Sequence, residues 1–258
     1  MPTAMTFDRG DVVVLVDRRG GRHLVRLSGG KERVGKVGLV DTSGLVGQVD
    51  GARVAVGSAS FTALRPTVLD RVAAIERRAQ IVVPRDAALI ALHADVKAGD
   101  LVVEGGAGSG ALSIVLLNLL RPGGRLVTYE LREDHAELAR ANVERAGLSE
   151  GHEIRLGDVA TALEEVEVDA VVLDVPEPWR AVPACRDALR PGGRFVSYSP
   201  TVGQVERTHA ALGEAGLVEV RTFETLEREL VVGKGGPRPS FEMLGHTGYT
   251  TVARKMSD

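Results

Sequence analysis

The side chains of this sequence best placed to do chemistry together are four carboxylates, each at or just past the end of a short apolar run: Glu104, Glu130, Asp158 and Asp174. Glu104 heads the stretch Glu104-Gly105-Gly106-Ala107-Gly108-Ser109-Gly110, in which Gly106, Gly108 and Gly110 lack a Cβ and let the backbone bend sharply against a ligand. A helix expected from about residue 109 to 120 follows at once, so its free N–H groups would face the same ligand. Such a turn can also do no more than pack helix on strand. The spacing Gly106-x-Gly108-x-Gly110 is not the Gly-x-Gly-x-x-Gly of a dinucleotide site, and Glu104 suits a cationic ammonium better than a diphosphate. S-Adenosylmethionine offers that ammonium, a carboxylate for the helix N-terminus, and no phosphate.

The other acids extend this reading. Glu130 ends the run 125–130, where a carboxylate can accept from both hydroxyls of a ribose, and Asp158 in Leu156-Gly157-Asp158 can accept from the exocyclic amine of an adenine. Any one of them is an ordinary surface charge; four at the same edge of a sheet make a site. Asp174 opens Asp174-Val175-Pro176-Glu177-Pro178-Trp179, which keeps the acid, proline and aromatic of the Asp/Asn-Pro-Pro-aromatic motif of base-amine methylases but spaces them differently. It is the candidate acceptor for a base amine.

Those acids share an edge only if the chain builds a parallel sheet. Strands are expected at 101–104, 125–130, 152–156, 169–174 and 194–198, with helices between most of them, including 133–146 and 202–215. This alternation implies an α/β fold with a mostly parallel sheet covered on both faces, and ligands beyond the carboxyl ends of the strands. Two last strands, 217–227 and 246–255, have no convincing helix between them and are expected as an antiparallel pair at the sheet edge.

Ahead of this region, residues 1–64 read as a small β-barrel or sandwich. Runs at 12–16 and 23–27 flank Arg18-Arg19-Gly20-Gly21, a hairpin signal, and further short strands are expected at 36–40, 45–49 and 52–56. Residues 65–258 form the second domain. Its connector carries a helix opened by Pro66 with Val68, Leu69, Val72, Ala73 and Ile75 at helical spacing, then a helix over 86–94 announced by Pro84 and Asp86.

Composition narrows the classes. The lone Cys185 excludes an intrachain disulfide or a cysteine zinc cluster, and no metal is expected. Without a signal peptide or an apolar run near eighteen residues, a cytoplasmic protein with no membrane partner is expected. The net charge of -3 conceals a basic stretch from Asp8 to Lys36, with eight Lys or Arg against four acids. That stretch suits either RNA or a solvated face.

At this point several pieces resemble one family. Glu104 to Leu112, Tyr129-Glu130, Asp174 with Glu177-Pro178-Trp179, Tyr198-Ser199-Pro200 followed by Gln204-Val205, and Gly245-His246-Thr247-Gly248-Tyr249 are similar to the tRNA adenine-N1 methyltransferases. The resemblance spans roughly 65–255, and the β domain ahead of it is also a family feature. It implies a Rossmann-like class I methyltransferase that uses S-adenosylmethionine to methylate N1 of an adenine in the T-loop of tRNA. The position implied is 58, with 57 also modified by some archaeal relatives, and the assembly a homotetramer.

Carried over residue by residue, the cofactor set is Glu104, Gly106, Gly108, Ser109, Gly110, Ala111, Leu112, Glu130, His135, Asp158 and Asp174. Asp174 would also meet the target base, and Tyr198 is either an aromatic platform for it or plain core. Bacterial members often carry Tyr-Pro-Lys-Asp where this chain has Val83-Pro84-Arg85-Asp86, so if that tyrosine stacks on the base, Val83 does not. The rival readings are a transferase acting on other RNA, a protein carboxylate or a small molecule, and an RNA-binding subunit that needs a partner.

Overall fold

The computed structural model describes residues 5–78, 80–233 and 235–257. The N-terminal sheet is antiparallel, with strands β1 (Val12–Asp17), β2 (Arg22–Arg26), β5 (Arg53–Val56) and β6 (Ala59–Leu64) in the order β2-β1-β6-β5; β3 (Lys31–Val34) and β4 (Gly38–Asp41) form a separate hairpin. Phe7, Val13, Leu15, Leu27, Val40 and Phe61 fill its core. The expected strand at 45–49 is absent. A 3-10 turn (Thr42–Gly44), held by the Asp41 side chain accepting from Ser43 N at 3.0 Å, ends β4, and only a bridge from Val49 to Thr6 remains. The expected strand at 36–40 begins later, after a second 3-10 turn (Gly35–Val37).

Two helices join this sheet to the rest. α1 (Val68–Ala73) begins with a capping box in which Thr67 Oγ1 accepts from Asp70 N and Asp70 accepts from Thr67 N at 2.8 Å. α2 (Pro84–His93) starts on Pro84, with Asp86 in its first turn.

The larger sheet then assembles from β7 (Leu101–Gly105), β8 (Arg125–Glu130), β9 (His152–Leu156), β10 (Val168–Leu173), β11 (Leu189–Ser199), β12 (Val218–Glu224) and β15 (Tyr249–Arg254). Their order is β12-β15-β11-β10-β7-β8-β9, parallel from β11 to β9, with β15 antiparallel to both its neighbours. The helices between strands are α3 (Ala111–Leu120), α4 (Glu133–Arg145), α5 (Val159–Ala162), α6 (Pro178–Ala188) and α7 (Val202–Glu214). An exposed hairpin of β13 (Leu230–Gly233) and β14 (Gly236–Pro239) interrupts the edge pair.

Both faces of the sheet are buried. Ile90 of α2 and Ile114, Leu116 and Leu117 of α3 pack on one face with Val102, Val172 and Val196. On the other, Val159, Ala181, Val182, Cys185 and Leu212 pack on Val103, Val171 and Phe195. Each fully buried large aliphatic contributes about 1.5–3 kcal/mol, so these layers fix the strand ends relative to one another. α3 is apolar nearly all round, as a helix sandwiched in the core must be, and it stops before Pro122.

Two arginines of the basic N-terminal stretch, with Arg71 of α1, have structural work at the junction. Arg22 pairs with Asp70, Arg26 Nη2 donates to Glu144 O at 2.7 Å, and Arg71 donates to Ala146 O, placing cations on the C-terminal carbonyls of α4. The N-terminal sheet therefore sits at the opposite end of α4 from Glu133. Among the described residues no helix is long and apolar enough to cross a membrane, and no cluster of three His, Cys, Asp or Glu is arranged to hold a metal.

Candidate active site

β7, β8 and β10 end level with one another, since Gly105 pairs with Tyr129 on one side and Leu173 on the other. Beyond their ends lies a cavity of about 430 Å³ whose lining includes Gly106, Gly108, Glu130, His135, Asp158 and Asp174. Parallel pairing thus brings together carboxylates up to 44 positions apart in the chain, as a doubly wound sheet should.

The backbone at the strand ends is tightly specified. Gly106 N donates to Tyr129 O at 2.8 Å and Asp174 N to Gly105 O at 2.8 Å. Gly106 has φ +90°, and a Cβ there would lie 2.2 Å from the carbonyl oxygen of Asp174, so only glycine fits. Glu130 shapes the turn from the other side: its Oε2 accepts from Ala107 N (2.9 Å) and Gly108 N (3.2 Å), and its Oε1 from Arg132 N (3.0 Å).

Asp174 is held differently. Among the described residues its side chain has no hydrogen-bond partner, and it is solvent-exposed where it faces the cleft. Desolvation there, reinforced by Glu130, raises its pKa to about 6. Asp158 caps α5 by accepting from Ala160 N at 2.9 Å, and its other oxygen faces Arg180 Nη2 at 3.5 Å.

Six residues of the expected set do not line the cavity. The sequence places Glu104 at a ligand ammonium, but its side chain turns to the α3 face, fully buried, and Oε2 accepts from Ser113 Oγ (2.6 Å) and Thr128 Oγ1 (2.7 Å). Burial raises its pKa to about 7 against the pull of those two hydroxyls. Ala111 and Leu112 are core. Gly110 caps α3 in the left-handed conformation, its α-carbon tight against Ala139 of α4. Ser109 is buried with an unpartnered Oγ, while its carbonyl accepts from Asn142 Nδ2 at 2.9 Å.

Tyr198, expected as a platform or core, is core. It is 7% exposed, its hydroxyl donates to Asp86 Oδ2 at 2.8 Å, and Gly248 lies so close to the ring that a Cβ would fall 2.4 Å from Cζ. Thr247 Oγ1 donates to the same carboxylate oxygen at 2.7 Å and accepts from Arg85 Nη2 at 3.1 Å. His246 beside it faces two acceptors, Glu224 Oε1 (2.6 Å) from Nδ1 and Pro200 O (2.8 Å) from Nε2. Satisfying both requires two N–H groups, so these contacts favour the imidazolium, and the Glu224 carboxylate raises the ring's pKa.

Sequence reasoning missed Arg180 in the lining, although it follows Trp179 directly at the start of α6. It spans the cavity lip between Asp158 and Glu177, whose Oε2 is 3.3 Å from Nη1. Gln204, quoted only as part of a motif, reaches Pro176 O at 2.9 Å.

The donor set fits S-adenosylmethionine. Four lining carboxylates, Glu130, Asp158, Asp174 and Glu177, outnumber the two arginines, Arg132 and Arg180, and suit a sulfonium; Gly106 and Gly108 bring backbone rather than side chains to the ligand, and the orphaned Ser109 Oγ lies beside the glycine turn. Glu130 at the end of β8 and Asp158 past β9 both line this cleft.

Comparison with known proteins agrees with this geometry. The family model described as tRNA methyltransferase complex GCD14 subunit matches residues 63–235. The tRNA (adenine(57)-N(1)/adenine(58)-N(1))-methyltransferase TrmI of Methanocaldococcus jannaschii is 34% identical, covering 93% of this chain and 94% of that protein. TrmI of Thermus thermophilus, named for adenine 58, is 33% identical over 74% of this chain and 75% of its own. Among solved structures, a SAM-dependent O-methyltransferase from Thermotoga maritima superposes with TM-score 0.81 at 33% identity, covering 98% of this chain and 96% of that one. The tRNA (m1A58) methyltransferase TrmI of Aquifex aeolicus superposes with TM-score 0.76 at 25% identity, covering 98% and 100%.

Proposed function

Because the chain belongs to the tRNA adenine-N1 methyltransferase family, we propose that it methylates N1 of adenine 58 in the T-loop of tRNA, using S-adenosylmethionine. The observation that carries this reading is Asp174: a carboxylate at the end of β10, free of protein donors, beside the glycine turn and facing the cavity. When bound, the cofactor supplies an electrophilic methyl group, and adenine N1 supplies its own lone pair, so no strong base is required.

Asp174 then orients the base by accepting from its exocyclic amine and stabilises the positive charge that develops there. Glu130 and Asp158 hold the nucleoside part of the cofactor, and His135, in the first turn of α4, borders the same cavity. Extruding a stacked base costs a few kcal/mol. With Val83 in place of a tyrosine and Tyr198 in the core, an exposed aromatic must come from elsewhere if stacking is to offset that cost.

We further propose that residues 1–64 act as a β domain ahead of the transferase body at 65–258, and that the protein assembles as a homotetramer. The exposed apolar hairpin, with Leu230 63% and Val232 78% accessible, supports assembly.

The test is incubation with labelled S-adenosylmethionine and unmodified tRNA, followed by nucleoside mapping. N1-methyladenine at position 58 is the expected product, with or without a second at 57. Cofactor binding with no transfer to tRNA but transfer to an oxygen acceptor would replace this reading with that of an O-methyltransferase.

A further inference from the structure

Among the described residues none donates to the Asp174 side chain, so its aim is set by the backbone on either side of it. Upstream the backbone is fixed by the Asp174 N to Gly105 O bond and the close approach of Gly106. Downstream, Val175, Pro176 and Glu177 run along the cavity to Pro178, the first residue of α6. Pro176 has no N–H of its own with which to anchor that run.

α7 supplies the anchor. Gln204 Oε1 accepts from Thr201 N (3.0 Å) and Thr201 Oγ1 (2.7 Å), completing the capping box that starts α7, while Nε2 donates to Pro176 O at 2.9 Å. One amide thus ties a helix start to the loop that carries the acceptor carboxylate. Arg207, three residues on and on the same face, lies 5.0 Å over the Trp179 ring. α7 grips the segment at two points without itself lining the cavity.

We propose that Gln204 is a positioning residue for methyl transfer: by holding the Pro176 carbonyl it fixes the loop that aims Asp174 at the acceptor base. This rests on the reading of Asp174 given above.

Gln204→Glu tests it selectively. A carboxylate at this position still accepts from Thr201, so the cap survives, but it has no proton for Pro176 O and opposes a carbonyl instead. Trp179 is the chain's single tryptophan, so acrylamide quenching of intrinsic fluorescence reports on this segment alone.

The expected result for Gln204→Glu is a near wild-type melting temperature, faster quenching and a kcat lowered about tenfold or more. Its dissociation constant for S-adenosylmethionine stays within about twofold, because ground-state binding of the cofactor is not what the clasp provides. The ratio of variant to wild-type kcat rises as the pH falls, since the introduced carboxyl, once protonated, can donate to Pro176 O again.

A kcat within about twofold of wild type, or a lowered kcat with unchanged quenching, overturns the proposal. Asp174→Asn run in parallel separates the two levels. If it abolishes transfer while Gln204→Glu does not, the positioning role alone is wrong; if it keeps wild-type kcat, the reading of Asp174 fails and the proposal with it.

Discussion

The Tyr198 hydroxyl donates to Asp86 at 2.8 Å, fastening the end of β11 to the first turn of α2, 112 residues earlier in the chain. Thr247 donates to the same oxygen, so a buried carboxylate accepts from two hydroxyls of distant segments, with Arg85 Nε 3.6 Å from its other oxygen. Tyr198→Phe leaves Asp86 short of one donor and should cost about 1–3 kcal/mol in urea unfolding. Well below the melting temperature, the variant should retain most of its kcat. A large kcat loss at unchanged stability would place Tyr198 on the substrate instead.

Asp174 must be ionised to accept from the base amine, and its pKa is raised to about 6. The transfer rate should therefore climb with pH through about 6 and level off above it, with the midpoint moving lower when the cofactor's positive charge is bound. Asp174→Asn should lower kcat about 10²-fold and abolish that limb.

The same shift has a stability signature of opposite sign. A carboxylate whose pKa is higher folded than unfolded is tolerated in its neutral form, so the native state loses stability as pH rises from 3.8 to about 6. Asp174→Asn should raise the melting temperature only slightly at pH 7.5, because solvent at the exposed carboxylate screens its charge, and have little effect below pH 4. A lower melting temperature at pH 7.5 would contradict the desolvation described here.

Glu104 gives a larger effect over a higher window. Fully buried with a pKa near 7, against 4.5 for an ordinary glutamate, it should cost the fold roughly 3 kcal/mol between pH 4.5 and pH 8, with the loss complete above pH 7. Glu104→Gln should flatten that part of the stability profile while cofactor affinity changes little, because the side chain faces α3 and not the cavity.

Gly106 and Gly108 both have positive φ but differ in surroundings. A Cβ at Gly106 meets the Asp174 carbonyl, whereas none of the protein lies within 4 Å of one at Gly108. Gly106→Ala should weaken cofactor binding at least about tenfold by displacing Asp174. Gly108→Ala should cost the fold only the backbone strain, about 1–2 kcal/mol, and weaken cofactor binding by placing a methyl in the cavity rather than by moving Asp174.

The parallel half of the fold was legible because most of its strands are short apolar runs closed by Gly, Pro or an acid, and α4 opens with the acids Glu133 and Asp134 in its first turn. α6 carries no such mark: Pro178 and an internal Pro183 disfavour a helix on propensity, although the first sits harmlessly at a helix start. The β13–β14 hairpin was hidden by Gly233, Gly235, Gly236 and two prolines, tolerable only because it pairs with nothing but itself.

Within the site, Glu130, Asp158 and Asp174 were legible from strand ends. Glu104 was not, because a strand buried on both faces shows no alternation to tell which layer a side chain enters. Contacts made by helix faces across the sheet edge, such as Gln204 to Pro176, leave no local pattern at all.

Asn142 joins three parts of the molecule at once. Its amide donates to Ser109 O and Glu76 O, and its carbonyl oxygen accepts from Glu76 N at 3.0 Å and Arg145 Nη1 at 2.9 Å. The connector from the N-terminal sheet and the glycine turn are thereby held by one side chain, whose displacement breaks the bonds of both. In hydrogen exchange the amide of Glu76 and those of the glycine turn should open as one cooperative unit, so order gained at the turn when a cofactor arrives is felt at the joint leading to the β domain.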